Sequence, residues 1–285
     1  MIQHTRYRWL LAAWALVTGC AMPALMYDLL PPVYEYSSSL APISDLATDA
    51  GYEASEASAI VYDREGLRIT VRHLSDTELN RRYPSVSYQD RFAANPFTYG
   101  NWRDPRLGYT PNRFTVFEIE VYNPILPKVE LFPGEARLRT DQGDEYGWYS
   151  VNREESDRSL EDYYTLIRGP GGNEQYRFDQ RMGIVREELY RPGHQVFKGG
   201  TYRGYLVFAP LSDEVKGADL HLKRFATQFD EANDPTQTMD LSFRFTHQVE
   251  KRQLSGEEAR RARRRDWVLP AAAGGAPETR TGVTR

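Results

Sequence analysis

Residues 113–123 read RFTVFEIEVYN, and this stretch decides the class of fold. Its residues alternate between two faces: one carries Thr115, Phe117, Ile119 and Val121, and the other carries Glu118 and Glu120. A period of two residues is typical of a strand that is buried on one face and exposed to solvent on the other. Asn123 and Pro124 end the pattern, because proline has no N–H group for a neighbouring strand.

Similar short patterns lie on both sides of this stretch. Residues 59–63 and 67–73 flank a turn that contains Gly66, and they predict a β-hairpin. Further strands are predicted at 129–132, 136–140, 146–149, 201–208, 218–225 and 239–249. Strands that follow one another without alternating helices predict a mainly β fold, an antiparallel β-sandwich over residues 56–250.

Two segments interrupt the strands. Residues 152–193 form a charged, glycine-rich insertion in which 160–167 predict a helix, and residues 83–112 are irregular and rich in aromatic side chains. Long loops inside a domain often carry function. The candidate ligand-contact residues of the second segment are Phe97, Tyr99, Trp102 and Tyr109. The alternative, which we favour, is that these side chains fold back as a lid over one edge of a sheet.

The N-terminus has the order of a secretory signal, in which basic residues precede an apolar run. Arg6 and Arg8 precede the apolar residues 9–17. The run ends at Val17-Thr18-Gly19-Cys20, which resembles the lipobox of bacterial lipoproteins. The resemblance implies a signal peptide over residues 1–19, cleavage between Gly19 and Cys20, and attachment of membrane lipid to Cys20. Two or three acyl chains on one residue give a durable anchor.

The alternative to cleavage is an uncleaved membrane anchor. The sequence contains no charge from Trp9 to Met26, which is about the minimum length for a membrane span. Pro23 favours the cleaved form. The residue after the cysteine is Ala21 rather than Asp, and in the lipoproteins that the motif resembles this implies transport to the outer membrane. Both alternatives predict a domain in the cell envelope that faces the periplasm or the cell surface.

The two ends of the chain differ in composition from the predicted sandwich. Residues 20–55 contain a proline pair and three consecutive serines without a period, and they predict a lipidated tether. Residues 251–285 predict a short basic helix and a disordered tail. The basic side chains could contact anionic lipid headgroups, but we favour a solvated run of charges.

Composition excludes several classes of protein. The chain has 285 residues, a formal net charge of -4 and a single cysteine, so no disulfide forms within it and zinc sites built on cysteine pairs are excluded. The mildly acidic balance argues against nucleic acid as a partner. The 19 tyrosines favour β structure.

A second resemblance covers roughly half of the chain. Residues 117–123, residues 136–143 and the stretch Lys198-Gly199-Gly200-Thr201-Tyr202-Arg203-Gly204-Tyr205-Leu206-Val207-Phe208 resemble immunoglobulin-like domains of bacterial secreted and lipid-anchored proteins of unknown function. The resemblance implies an immunoglobulin-like sandwich, and the insertion at 152–193 is absent from that family. Its motifs are structural and imply no activity.

The sequence offers no convincing catalytic set. It lacks the nucleophile, zinc-protease and phosphate-loop motifs. The histidines occur singly, so we expect no metal and no cofactor. The acidic pairs Glu118 with Glu120 and Glu154 with Glu155 would suit a glycosidase, but we expect the first pair on the solvent face of its strand.

These observations favour a non-catalytic envelope lipoprotein whose sandwich binds an envelope protein or assembles into a larger complex. The first alternative is a lipoprotein that binds cell-wall glycan through the aromatic loop at 92–109. The second, less favoured, is a cell-wall hydrolase that uses Asp or Glu.

Overall fold

The computed structural model describes residues 31–43, 45, 50–55, 58–168 and 172–265. Cys20, the predicted signal peptide and the predicted tail from residue 266 onward lie outside the described residues. No helix among the described residues is both long enough and apolar enough to cross a membrane.

The described residues form twelve strands, most of them antiparallel pairs, so the prediction of a mainly β fold with antiparallel sheets is confirmed. The strands are β1 Tyr34–Pro42, β2 Tyr52–Ala54, β3 Ala59–Arg64, β4 Leu67–Leu74, β5 Thr115–Asn123, β6 Lys128–Glu130, β7 Arg137–Thr140, β8 Glu145–Gly147, β9 Gln195–Phe197, β10 Gly200–Phe208, β11 Gly217–Phe229 and β12 Pro235–Gln253. The helices are α1 Asp76–Arg82, α2 Pro84–Ser87, α3 Leu160–Arg168, α4 Gly172–Glu188 and α5 Gly256–Arg265.

The strands form two sheets that pack face to face. The five-stranded sheet has the order β10-β5-β4-β3-β2. The seven-stranded sheet contains β1, β12, β11, β6 and β9 in that order, and in it β7 pairs with β11 and β8 pairs with β7. The residues of β5 that were predicted to be buried do face the other sheet: Phe117 lies 5.3 Å from Phe245, between ring centroids. Ile119 and Val121 are fully buried. Burial of each such side chain contributes about 1.5–3 kcal/mol.

Asn123 and Gly204, which belong to the stretches that resemble immunoglobulin-like domains, have structural roles. The Asn123 amide donates to the carbonyl oxygen of Val196 at 2.8 Å and so ties the end of β5 to β9 in the other sheet. Gly204 lies where the backbone of Tyr190 crosses β10, and a Cβ atom there would come within 2.6 Å of the Tyr190 Cα. Only glycine permits this approach.

The outer face of the five-stranded sheet is covered by a helical cap, which we define as α1, the loop 83–112, α3 and α4. Helix α1 begins with a capping box between Ser75 and Glu78, as its sequence predicts. Tyr205 of β10, which is paired with Glu118 of β5, packs against Phe97 of the loop at 5.4 Å. The chain after α4 also covers the edge of β10, where the Tyr190 N–H donates to the Tyr205 carbonyl at 3.0 Å.

Two parts of the cap differ from the sequence predictions. A helix lies at the predicted 160–167, but the insertion also contains the 17-residue helix α4, whose buried residues Phe178, Met182 and Val185 recur at helical spacing. Glu118 was expected on a solvent face, and this expectation was wrong: its side chain is only 12% exposed, because α1 lies over it. Glu120 is exposed as expected.

The predicted tether also contains sheet structure. Strand β1 lies within residues 20–55 and pairs along its whole length with β12, and Val33 and Leu40 are buried. The sequence YEYSSSLAP gives only a weak apolar pattern. Backbone pairing with β12, not burial of its side chains, holds most of this strand in the sheet. Strand β12 runs to Gln253, and α5 lies where the basic helix was predicted.

Candidate interaction surfaces

The four aromatic residues of the predicted ligand-contact loop do not share one surface. Phe97 is fully buried and packs against Tyr83 and Tyr205, with ring centroids 6.2 and 5.4 Å away. It is therefore part of the lid over the sheet and is not available to a ligand. The lid interpretation holds for Phe97.

Tyr99 and Trp102 remain together near the surface. Their ring centroids lie 5.5 Å apart at an angle of 51°, and both residues are half-buried. The guanidinium of Arg113 lies 4.1 Å from the centre of the Tyr99 ring. Because this ring is held between Arg113 and Trp102, the pair does not form a flat platform of the kind that sugar rings stack on.

Tyr109 belongs to a different cluster, which we call the tyrosine cluster: Tyr34, Tyr36, Tyr109 and Lys251. Tyr109 stacks on Tyr36 at 4.5 Å and meets Tyr34 edge to face at 6.4 Å. The Lys251 ammonium lies 4.4 Å from the Tyr109 ring and 4.8 Å from the Tyr34 ring. The three tyrosines are half-buried and Lys251 is exposed, so the cluster presents both apolar ring edges and a cation to solvent.

Local backbone contacts place Tyr109 against β1. The Tyr34 N–H donates to the Gly108 carbonyl at 2.9 Å. Gly108 has a φ of +75°, and a Cβ atom on it would come within 2.2 Å of the Pro32 carbonyl oxygen. Both conditions require glycine. The Tyr36 hydroxyl donates to Asp213 at 2.7 Å, and burial, together with this carboxylate, raises the pKa of Tyr36.

Helix α5 lies beside the tyrosine cluster and the start of the described chain. The Leu254 N–H donates to the Val33 carbonyl at 2.8 Å, and Arg263 donates to the Pro31 carbonyl at 2.5 Å. Arg252 bridges Glu35 at 2.7 Å and Glu258 at 3.1 Å. The N-terminal and C-terminal parts of the described chain therefore meet at one end of the seven-stranded sheet.

A charged network fills the space between α1 and the five-stranded sheet. Glu118 accepts from Arg72 at 3.2 Å and from Arg82 at 2.5 Å, and Arg72 also bridges Glu78 at 2.7 Å. Burial alone would raise the pKa of Glu118, but the hydrogen bonds and charges of Arg82 and Arg72 outweigh it and hold this pKa below its usual value. A carboxylate held ionised by two arginines is a poor proton donor, so the network attaches α1 to the sheet and offers no general acid.

Two buried arginines hold the insertion against the loop. Arg113 is 8% exposed and Arg181 is 5% exposed. Arg113 donates to the Asn95 carbonyl and the Tyr164 hydroxyl, both at 3.1 Å, and Arg181 donates to the Ala93 carbonyl at 2.9 Å. Among the described residues neither Nε atom has a hydrogen-bond partner. Carbonyl oxygens and the ring of Tyr164 contact these charges, and the Asp76 carboxylate lies close enough to Arg113 for their charges to interact.

The ends of helices α3 and α4 that approach residues 169–171 expose several large apolar side chains. The two helices are antiparallel, since Arg168 donates to Gln175 at 2.7 Å and Arg186 lies 3.9 Å from Glu161. The exposed fractions are 86% for Leu166, 51% for Ile167 and 67% for Tyr176. We call these three residues the hairpin patch. Large apolar side chains that are exposed in this way often mark a protein-binding surface.

Sequence reasoning missed the hairpin patch, although a signal for it was present. Leu160 and Tyr164 of α3 are buried and lie four residues apart, which defines the buried stripe of this helix. Leu166 lies off that stripe, so comparing the apolar positions of the predicted helix with its stripe would have identified it as exposed. Ile167 lies on the stripe, seven residues after Leu160, so its exposure has no signal in the helical pattern.

A polar cleft of about 370 Å³ lies between the residues after β8 and the two helices of the insertion. Val151, Asn152, Arg153, Glu154, Glu161 and Arg186 line it. Glu155, the second member of the acidic pair, instead approaches the Val151 N–H and the Asn152 amide at 3.4 Å. Two acids and two arginines balance in the cleft, so it favours neither sign of charge in a ligand.

The described histidines have different hydrogen-bond and ring partners, although the charge of His247 acts on His73. Burial lowers the pKa of His73 to about 4, and its Nδ1 faces the Leu40 N–H at 3.2 Å. His247 contacts Ser38 and the Val215 carbonyl, both at 2.8 Å, and His194 stacks on Tyr202 at 3.6 Å. Within the described part of the chain, His, Cys, Asp and Glu side chains form no group of three that could hold a metal ion.

Comparison with known proteins identified no relative of this chain. No protein-family model, no curated protein and no solved structure matches the chain.

Proposed function

We propose that this protein is a non-catalytic, lipid-anchored protein of the bacterial cell envelope, whose β-sandwich binds a partner protein through the hairpin patch. The lipid anchor is supported by the lipobox-like Val17-Thr18-Gly19-Cys20. We propose that the sandwich is immunoglobulin-like, because the chain passes from one antiparallel sheet to the other between β5 and β6, between β9 and β10, and between β10 and β11.

The observation that carries the binding proposal is the exposure of Leu166, Ile167 and Tyr176 at one end of a helical hairpin. Burial of a side chain of this size in an interface contributes about 1.5–3 kcal/mol. Arg113 and Arg181 attach the hairpin to the rest of the molecule, which reduces the conformational entropy lost when a partner binds.

The binding proposal is tested by photo-crosslinking in cells. A photoreactive amino acid at position 166 should give a discrete protein adduct, and the same amino acid at the exposed Thr201 of β10 should not. The adduct should disappear when Ile167→Asp and Tyr176→Asp are introduced beside it. An adduct that survives both substitutions, or an identical pattern from positions 166 and 201, contradicts the proposal.

The anchor is tested separately by feeding cells a clickable fatty acid. Label should appear on the wild type and be absent from Cys20→Ala, and the wild type should fractionate with membranes. Absence of label from both proteins would replace the lipid anchor with an uncleaved helix or a secreted form.

A further inference from the structure

The end of the sandwich formed by α5 and the tyrosine cluster has a charge opposite to that of the whole protein. Residues 251–265 contain seven basic and two acidic side chains, whereas the whole chain has 36 Lys and Arg against 40 Asp and Glu. Glu257 bridges Arg261 at 3.1 Å. Glu258 bridges Arg252 at 3.1 Å, and this arginine also bridges Glu35 of β1 at 2.7 Å. The remaining excess at this end is positive.

Aromatic rings lie next to these charges. Tyr34 is paired with Gln253 and Tyr36 with Lys251 on β12. Gln253 is three residues before the start of α5, so the tyrosine cluster lies next to this helix. Tyrosine is enriched at the interface of a bilayer with water, because its ring is apolar and its hydroxyl is polar. Lysine and arginine can extend from such a surface to headgroups.

The start of the described residues lies beside α5 and limits how far this end of the molecule can lie from a membrane anchor. Arg263 of α5 contacts the carbonyl oxygen of Pro31, the first described residue. Cys20 precedes Pro31 by eleven residues, which span at most about 40 Å when extended. The uncleaved alternative ends at Met26 and shortens this reach to about 18 Å. Either anchor therefore keeps Pro31, and α5 beside it, within about 40 Å of a bilayer.

We propose that α5 and the tyrosine cluster form a membrane-docking surface that binds the anionic phosphates of phospholipid headgroups. The surface holds the sandwich with its chain-start end on the bilayer. The orientation rests on the anchor of the proposed function, but the binding chemistry does not. The hairpin patch, where the partner protein binds, is a different surface of the molecule.

The experiment uses a chain that begins at Ala21 and so lacks Cys20 and its lipid. Every buried apolar residue of the described chain lies between Val33 and Phe245, so this chain keeps the described core, and its thermal unfolding is measured first. Sedimentation with vesicles of phosphatidylcholine alone, and of phosphatidylcholine with phosphatidylglycerol, measures binding. The wild type should bind only the anionic vesicles, and added salt should weaken the binding.

The test variant replaces Arg260, Arg261 and Arg263 with Gln. Each arginine near an anionic surface contributes about fivefold to partitioning, so the triple variant should bind roughly a hundredfold more weakly. The matched control replaces Arg64, Arg68 and Arg203, three exposed arginines on the five-stranded sheet, with Gln. It changes the net charge equally and should bind like the wild type.

Three results would overturn the docking surface. These are absence of binding to anionic vesicles, equal losses in the test and control variants, and release from vesicles by double-stranded DNA at lower concentration than by soluble phosphatidylglycerol headgroup. The last would mean that α5 binds nucleic acid. Failure of the lipid anchor is distinguishable, because missing fatty-acid label in cells leaves the vesicle result unchanged.

Discussion

Strand β5 has one face packed against the other sheet and one face packed under the helical cap, and the two faces are stabilised by different interactions. The inner face is apolar and carries Phe117, Ile119 and Val121. The outer face carries Glu118 between two arginines. A covered sheet face therefore need not be apolar, provided that each buried charge has partners with good geometry.

The largest effect is expected on the inner face. Phe117→Ala removes a fully buried ring that contacts Phe208 and Phe245. It should lower the free energy of unfolding by about 3–5 kcal/mol, measured by urea denaturation. A loss below about 1 kcal/mol would mean that the two sheets repack freely around the cavity, and the description of the inner face as the main core would fail.

A smaller effect is expected from the charged face. Glu118→Gln keeps the shape of the side chain but leaves Arg72 and Arg82 without their shared carboxylate, and it should cost about 1–3 kcal/mol. The control is a double-mutant cycle with Arg82→Met, in which Arg82→Met should cost less in the Glu118→Gln background than in the wild type. Independent, additive effects would show that the network does not couple α1 to the sheet.

The cap should also produce a dependence of stability on pH that the inner face lacks. Burial raises the pKa of Asp76, at the start of α1, to about 7, against the opposing charge of Arg113. Between about pH 4 and 7 the folded state retains a proton that the unfolded chain has lost, so stability falls as pH rises through this window. Asp76→Asn removes this loss, and its stability relative to the wild type should rise from pH 4 to pH 7 and then stay constant.

Other groups of the structure act in the opposite direction, and His73 and Glu118 are two of them. His73, with its pKa lowered by burial to about 4, and Glu118, with its pKa held down by Arg82 and Arg72 against the effect of burial, both lose their stabilising effect as pH falls. They are common to the wild type and to Asp76→Asn, so the difference between the two proteins isolates Asp76. A difference that does not change with pH would contradict the assignment.

The inner face could be predicted from the sequence, and the outer face could not. The period of two in residues 115–121 is a local signal. The contacts of Glu118 instead join residues 36 and 46 positions apart along the chain, and no local pattern encodes them. Strand β1 escaped prediction for a related reason, because its partner β12 lies more than 200 residues away.

The candidate surfaces divide in the same way. The basic residues of α5 are neighbours in the sequence, so its charge can be predicted. Its position beside Tyr34 and Tyr109 depends instead on the pairing of β1 with β12. Phe97 could not be distinguished from Tyr109 in sequence, since both belong to one irregular, aromatic-rich loop. Burial against Tyr205 separates them.

The smallest effect is expected at Glu120, which the helical cap does not cover. Glu120 lies two residues beyond Glu118, on the same face of the same strand, but it is exposed. Glu120→Gln should therefore change the free energy of unfolding by less than about 0.5 kcal/mol, in the same urea experiment as Glu118→Gln. If both substitutions cost the same, the effect would come from the loss of negative charge on the strand, and contact with α1 would not be what stabilises the outer face.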